Sequence, residues 1–240
     1  MQHIRPKTTE WFTYFPEDYR WSAAIGGMLG LAVVGASDMG EIDRTARKLK
    51  NKLGDDEAWF FTWQELGDEL KQKADDCRNR GHTISASVFY LRASCYYQWG
   101  ERFRTVKDDH ALNVYRKSVE CFHEHAQLSI SPKIEIVEVP YEGNFLPGYF
   151  VHAENTNKSK NPTMIFFDGL DITKELQYAR GVPELIKRGF SCLVMDGPGT
   201  GEAIRFRGMF LRPDYEVAGS ACVDYLETRE DVDKNRIGIM

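Results

Sequence analysis

The sequence predicts an α/β protein in which an all-helical region precedes a parallel β-sheet. Apolar residues recur three and four positions apart from about Tyr19 to Leu128, which is the helical period. After Ser131-Pro132 the pattern changes to alternating and then continuous apolar runs, separated by helical stretches. Strands and helices that alternate in this way form right-handed βαβ units. We therefore divide the chain into a helical domain, residues 1–131, and a sheet domain, residues 132–240.

The helical domain is predicted to contain four or five helices. One apolar stripe runs through Trp59, Trp63, Leu66 and Leu70, and similar stripes cover residues 88–99 and 112–122. Polar breaks near 54–56, 79–81 and 105–109 mark the turns between helices. The longest apolar stretch, residues 23–36, is too short for a membrane span of about 20 residues and is predicted to be a buried helix.

The sheet domain begins with two strands and a hairpin turn. "KIEIVEVPY" and "FLPGYFVHA" are predicted strands on either side of a turn at 142–144. "TMIFF", "FSCLVMD" and "RIGIM" are continuous apolar runs, typical of parallel strands covered on both faces. Helices are predicted over 173–188, where Pro183 could mark a kink or break, and over 213–228, with Pro213 near the first helical position.

Composition argues against several classes of function. A net charge of −5 does not favour binding to nucleic acid or to an acidic membrane. The five cysteines show no CxxC pairing, and together with the absence of a signal-like start they favour a reducing, cytoplasmic setting. His123 and His125 point about 200° apart on a helix, so we expect no metal site there. The glycines within 26–30 follow no clear strand, so we expect no dinucleotide cofactor, and no other cofactor is implied.

Two loops are placed where α/β proteins carry their sites, at the carboxyl ends of parallel strands. The first is Asp168-Gly169-Leu170-Asp171, after "MIFF", and the second is 196–202, "DGPGTGE", after "CLVM". We interpret the second loop mainly as a structural turn, with Asp196 and Glu202 bonded to nearby backbone. The residues just beyond it, 205–210, fit a lid contact or a solvated loop equally well.

The motifs "FFDGLD", "MDGPGTGE" and "RIGIM" resemble the α/β-hydrolase superfamily. More narrowly, they resemble the branch with a helical N-terminal region that includes FrsA-type esterases, 2,6-dihydropseudooxynicotine hydrolase and fungal polyketide-shortening hydrolases. In that superfamily the strand matching "RIGIM" leads into the nucleophile elbow G-x-S-x-G. The resemblance therefore implies that the nucleophile, and the acid and histidine of the triad, lie beyond Met240, and that this chain is a fragment which would tend to aggregate alone.

The resemblance also assigns roles to residues of the first loop. It implies that the Leu170 N–H is one oxyanion donor and that Gly169 lets the backbone approach the substrate. Asp168, Asp171 and Glu202 are candidates for lining the pocket or supporting the loops. Many relatives have a histidine where this chain has Asp168, and we do not expect this carboxylate to act as an acid or base.

The predicted function is that of a serine hydrolase acting through an acyl-enzyme on an ester, an amide or a ketone-adjacent C–C bond. The predicted partners are a medium-sized small-molecule substrate, the C-terminal remainder of the same protein and, from the resemblance alone, a second copy in a homodimer. Two alternatives remain open: a non-catalytic binding or scaffold module that uses the helical array, and a hydrolase with a cysteine nucleophile. Cys192 lies within a buried strand, so we expect it to be core rather than that nucleophile.

Overall fold

The computed structural model describes residues 13–167, 169 and 171–240. Its first half is helical. Five α-helices and one short 3₁₀ helix are described there, with these bounds: α1 Tyr19–Gly30, the 3₁₀ helix Leu31–Val34, α2 Met39–Arg47, α3 Asp56–Asn79, α4 Thr83–Glu101 and α5 Asp109–Leu128. The predicted helix over 23–36 is thus an α-helix that tightens into a 3₁₀ turn after Gly30.

Aspartate side chains fix where four of these helices begin. Asp18, Asp38, Asp55 and Asp108 each accept a hydrogen bond from a backbone N–H in the first turn of the helix that follows. Such N-caps satisfy donors that have no partner within the helix. Two of the four lie in the polar breaks that the sequence shows near 54–56 and 105–109.

The second half contains the sheet, with three further helices among the described residues. Its elements are β1 Ile134–Tyr141, β2 Asn144–Val151, β3 Asn161–Phe166, α6 Lys174–Ile186, β4 Ser191–Met195, α7 Gly201–Arg207, α8 Glu216–Thr228 and β5 Val232–Ile239. The strand order is β1-β2-β4-β3-β5. β3 pairs in parallel with β4 and β5, whereas β1–β2 and β2–β4 are antiparallel. The predicted α/β architecture is confirmed.

The predicted hairpin between β1 and β2 is present as a two-residue turn. Glu142 and Gly143 both have positive φ angles, 46° and 78°. Two consecutive positive φ values define the type I′ geometry, whose twist matches that of the flanking strands. The hairpin therefore continues the sheet without a bulge at its tip.

Three details of the predicted helices differ from the structure. Pro213 is not near the first helical position, because α8 begins at Glu216. Arg212 and Asp214 form an ion pair in the loop that precedes α8. Pro183 neither ends nor breaks α6, which continues through it to Ile186. The short helix α7 was not predicted, since its few apolar residues show no helical period.

The helices cover the two faces of the sheet unequally. Tyr149, Val151 and Val194 belong to a large apolar cluster that also contains buried residues of α1 and α3–α6. Phe150 and Leu193, which alternate with them along the strands, belong to a second cluster with α8. The larger cluster crosses residue 131, so the division into two domains at that point stays a prediction. None of the helices that the structure describes combines the length and apolar character needed to span a bilayer.

Candidate active site

The carboxyl ends of β3, β4 and β5 lie side by side at one edge of the sheet. The backbone N–H of Met240 donates to the Ile165 carbonyl (2.9 Å), and the N–H of Phe167 donates to the Met240 carbonyl (3.2 Å). These two bonds fix the end of β5 beside the start of the loop that follows β3. Ligands of open α/β sheets bind outside this edge, so the loops after β3 and β4 form the candidate site.

A buried lysine stands at the centre of this edge. The Nζ of Lys174 lies 2.9 Å from Asp196, 2.8 Å from Glu175 and 3.0 Å from Glu202, and its side chain is only 1% exposed. Tyr149 adds a hydrogen bond from its hydroxyl to the Glu175 carboxylate (2.7 Å). Burying charges is costly unless each is paired and hydrogen-bonded, and here every carboxylate of the cluster reaches the same ammonium group.

Asp196 ties two helix N-termini to the end of β4. Its Oδ1 accepts the backbone N–H of Lys174 (2.8 Å), in the first turn of α6, and its Oδ2 accepts the backbone N–H of Glu202 (2.8 Å), in the first turn of α7. A carboxylate in this position satisfies orphan donors and lies at the positive end of both helix dipoles. A Cβ on Gly201 would overlap the Asp196 carboxylate, so the last glycine of "DGPGTGE" is required by this close approach.

The electrostatics make Lys174 a permanent cation. Burial by itself lowers the pKa of Lys174, but the charges of Asp196 and Glu175 outweigh it and hold the pKa well above its usual value. Burial raises the pKa of Asp196, and Lys174 offsets only part of that rise. Burial also raises the pKa of Glu202, but Lys174 and Arg207 together bring it below its usual value. Lys174 therefore cannot serve as a general base and instead holds the loops in place.

A polar cleft of about 160 Å³ opens between this edge and the helical region. It is lined by Gln98, Glu101, Arg102, Lys107, Asp171 and Arg205. Most of these groups are paired with one another. Glu101, only 1% exposed, binds Arg205 (2.9 Å) and Lys107 (2.6 Å), and Arg102 forms an ion pair with Asp171. The cleft thus joins α4, the loop after it, the loop after β3 and α7.

The predicted site residues that the structure describes do not lie in one place; one belongs to the polar cleft and another to the Lys174 cluster. Asp171 lines the cleft, and Glu202 belongs to the Lys174 cluster, where it also binds Arg207 (2.9 Å). Gly169 is exposed, and an added Cβ would meet no atom within 4 Å. Asp168 and Leu170 lie outside the described residues. The oxyanion roles of Gly169 and Leu170 therefore stay predictions.

Several residues of the site were not singled out from the sequence. Lys174 and Glu175 look like solvent-facing residues of a helix start, and no sequence signal marks them as buried. Gln98 and Glu101 lie near the C-terminal end of α4, a helix rich in aromatic residues. That composition does not predict a polar cleft. For Arg205 the sequence allows a lid contact or a solvated loop, and in the structure it binds the buried Glu101 carboxylate. Among the described residues, no group of three or more histidines, cysteines and carboxylates is arranged to hold a metal ion.

Comparison with known proteins gives these features a context. No family model matches the chain. The hydrolase LUC6 of a Fusarium species is 31% identical over 204 residues, which cover 83% of this chain and 48% of that protein. The α/β hydrolase xenA of Xenoacremonium sinensis is 29% identical over 222 residues, covering 90% of this chain and 51% of that protein.

The chain is a relative of fungal α/β hydrolases. Among solved structures, that of the 2,6-dihydroxy-pseudo-oxynicotine hydrolase superposes with a TM-score of 0.71 at 25% identity, covering 88% of this chain and 56% of that one. The resemblance to the α/β-hydrolase superfamily, and to the branch with a helical N-terminal region, is confirmed. The chain spans about half the length of the curated hydrolases it matches.

Proposed function

We propose that this chain belongs to a serine hydrolase that cleaves an ester, an amide or a ketone-adjacent C–C bond of a medium-sized substrate. The observation that carries the proposal is the position of Met240, which is hydrogen-bonded between Ile165 and Phe167. Any residues beyond Met240 would emerge beside the loop after β3. A nucleophile elbow in that position would face the backbone donors of this loop, as the α/β-hydrolase mechanism requires.

In the proposed reaction a serine beyond Met240 attacks the substrate carbonyl, and the electron pair of the C=O bond moves onto the oxygen. The Leu170 N–H and the N–H after the serine stabilise this oxyanion. Its collapse expels the leaving group, which takes up the proton released from the serine hydroxyl, and forms an acyl-enzyme. Water then attacks the acyl group: its oxygen and one hydrogen become the hydroxyl of the released acid, and its other proton goes to the serine oxygen.

The loop after β3 is held at both ends, and the Lys174 cluster supports this chemistry by holding one of them. One end is fixed by the pairing of Phe167 with Met240, and the other by the bonds of Lys174 to Asp196. A donor that is held in place before reaction stabilises an oxyanion without a reorganisation cost. We therefore assign Lys174 and Asp196 a positioning role and not a catalytic one.

The first test is the intact mass of the protein, purified from its native source, with and without a fluorophosphonate probe. A species well above 27.6 kDa that gains one adduct is expected, since 27.6 kDa is the mass of this chain alone. A 27.6 kDa species without an adduct would contradict serine catalysis and favour a binding or scaffold module.

A pair of substitutions at Leu170 tests the oxyanion role in the same assay. Leu170→Pro removes the backbone N–H, and loss of one such donor slows the reaction by roughly 10²–10³-fold. Leu170→Ala keeps the N–H and is the matched control, with labelling close to that of the wild type. Equal labelling rates for the two variants would refute the assignment of this donor.

A further inference from the structure

Gln98 is an unusual residue of the polar cleft because its amide has no partner. Its side chain is 2% exposed, and neither Nε2 nor Oε1 forms a hydrogen bond with any described residue. The charged groups that share the cleft are paired: Glu101 with Arg205 and Lys107, and Arg102 with Asp171. Gln98 is therefore the residue in this lining that offers both a donor and an acceptor for a new contact.

A buried amide without partners is expensive. An unsatisfied buried polar group loses its hydrogen bonds to water without gaining others, and native proteins leave few such groups without a reason. The residues around Gln98 on α4 include Cys95, Tyr97 and Trp99, all buried. An apolar side chain would fit such a position at no cost in hydrogen bonds. A glutamine there indicates that its amide is used by something that enters the cleft.

The lining also defines the charge that the cleft accepts. Arg102, Lys107 and Arg205 outnumber Glu101 and Asp171 by one positive charge. A cationic group is disfavoured beside this excess, whereas a neutral or anionic group is tolerated. A volume of about 160 Å³ accommodates one ring-sized group, since an engineered cavity of about 150 Å³ binds benzene.

We propose that this cleft binds the amide or carboxyl edge of a small organic ligand, with Gln98 as the recognition residue. Such an edge places an acceptor oxygen opposite Nε2 and, in an amide or a protonated acid, a donor opposite Oε1. Two aligned hydrogen bonds of this kind give both polar atoms of the Gln98 amide a partner. In the proposed hydrolase this contact orients the part of the substrate that is not cleaved, so the substrate-orienting role rests on the proposed function.

Binding of benzamide to the ¹⁵N-labelled full-length protein is the test of the contact itself. Benzamide should shift the side-chain Nε2 resonance of Gln98, benzoate should compete with it, and benzylamine, a cation of similar size, should not. Gln98→Met should lower the affinity for benzamide at least tenfold. Gln72→Met is the matched control, because Gln72 is exposed on α3 and outside the cleft, and it should leave the affinity unchanged.

Two further readouts separate recognition from a structural role. Gln98→Met should leave the unfolding midpoint unchanged or raise it, because no hydrogen bond is lost. Gln98→Glu keeps the shape and cancels the excess of one positive charge, so it should bind benzylamine more tightly than the wild type does. A lower midpoint for Gln98→Met, or benzamide binding that is equal in wild type and Gln98→Met, overturns the inference. These assays measure no turnover, so a missing fluorophosphonate adduct beside intact benzamide binding contradicts only the hydrolase proposal.

Discussion

Replacing Lys174 with methionine tests whether the buried cluster stabilises the site edge. Lys174 is paired at 3.0 Å or less with Asp196, Glu175 and Glu202. Methionine fills a similar volume but removes the cation, which leaves three carboxylates with less compensation. Breaking a buried ion pair by deleting one partner costs about 3–5 kcal/mol. We expect the free energy of unfolding of Lys174→Met to fall by an amount in that range.

The assay is equilibrium urea unfolding, followed by circular dichroism, with Lys187→Met as the matched control. Lys187 follows α6 and pairs with Glu184, but its side chain is 55% exposed, so its loss should cost less than about 1 kcal/mol. The pH dependence adds a second signature. Without Lys174 the buried carboxylates have folded-state pKa values above their unfolded values, so protonation favours the folded state. The loss of unfolding free energy in Lys174→Met should therefore be larger at pH 8 than at pH 5.

Two results would refute this reasoning. If Lys174→Met and Lys187→Met lost the same stability, the cluster would contribute nothing beyond a surface ion pair. If the deficit of Lys174→Met did not shrink as the pH fell, the stability lost would not come from uncompensated carboxylates. A loss that is large but independent of pH would point to packing of the lysine stem against its neighbours.

Two further predictions concern the helical region. Burial lowers the pKa of His125 to about 4, so the folded state stays neutral while the unfolded chain takes up a proton near pH 6.5. Wild-type stability should then fall between pH 6.5 and 4, and His125→Asn should remove up to about 3 kcal/mol of that fall. An unchanged pH dependence in His125→Asn would contradict a buried, neutral His125. A Cβ on Gly67 would lie 2.6 Å from the Tyr97 ring, so Gly67→Ala should lower the stability by about 1–3 kcal/mol. Gly26 lies in α1, and a Cβ added there would meet no atom within 4 Å. Gly26→Ala should therefore raise the stability by about 0.5–1 kcal/mol. Equal changes in melting temperature for Gly67→Ala and Gly26→Ala would contradict the packing at Gly67.

Periodicity along the chain was sufficient to predict the order and type of most elements. The stripe of Trp59, Trp63, Leu66 and Leu70 lies buried on α3, and the apolar runs around Ile165 and Leu193 form adjacent parallel strands. These patterns are local, because a helix or strand must place its apolar residues on one side to be buried. The motifs around Gly169 and Asp196 likewise placed both loops at one edge of the sheet, since the carboxyl ends of parallel strands always share one edge.

The sequence by itself thus determined the fold class, the position of both loops at one edge of the sheet and the resemblance to α/β hydrolases. Only the tertiary structure decided that Lys174 is buried in a carboxylate cluster, that the Gln98 amide has no hydrogen-bond partner among the described residues, and that Arg205 reaches Glu101. The physical reason is that these contacts join residues 22 to 104 positions apart. A charged residue at a helix start looks the same in sequence whether it faces water or an opposite charge, and only the packing of distant elements distinguishes the two.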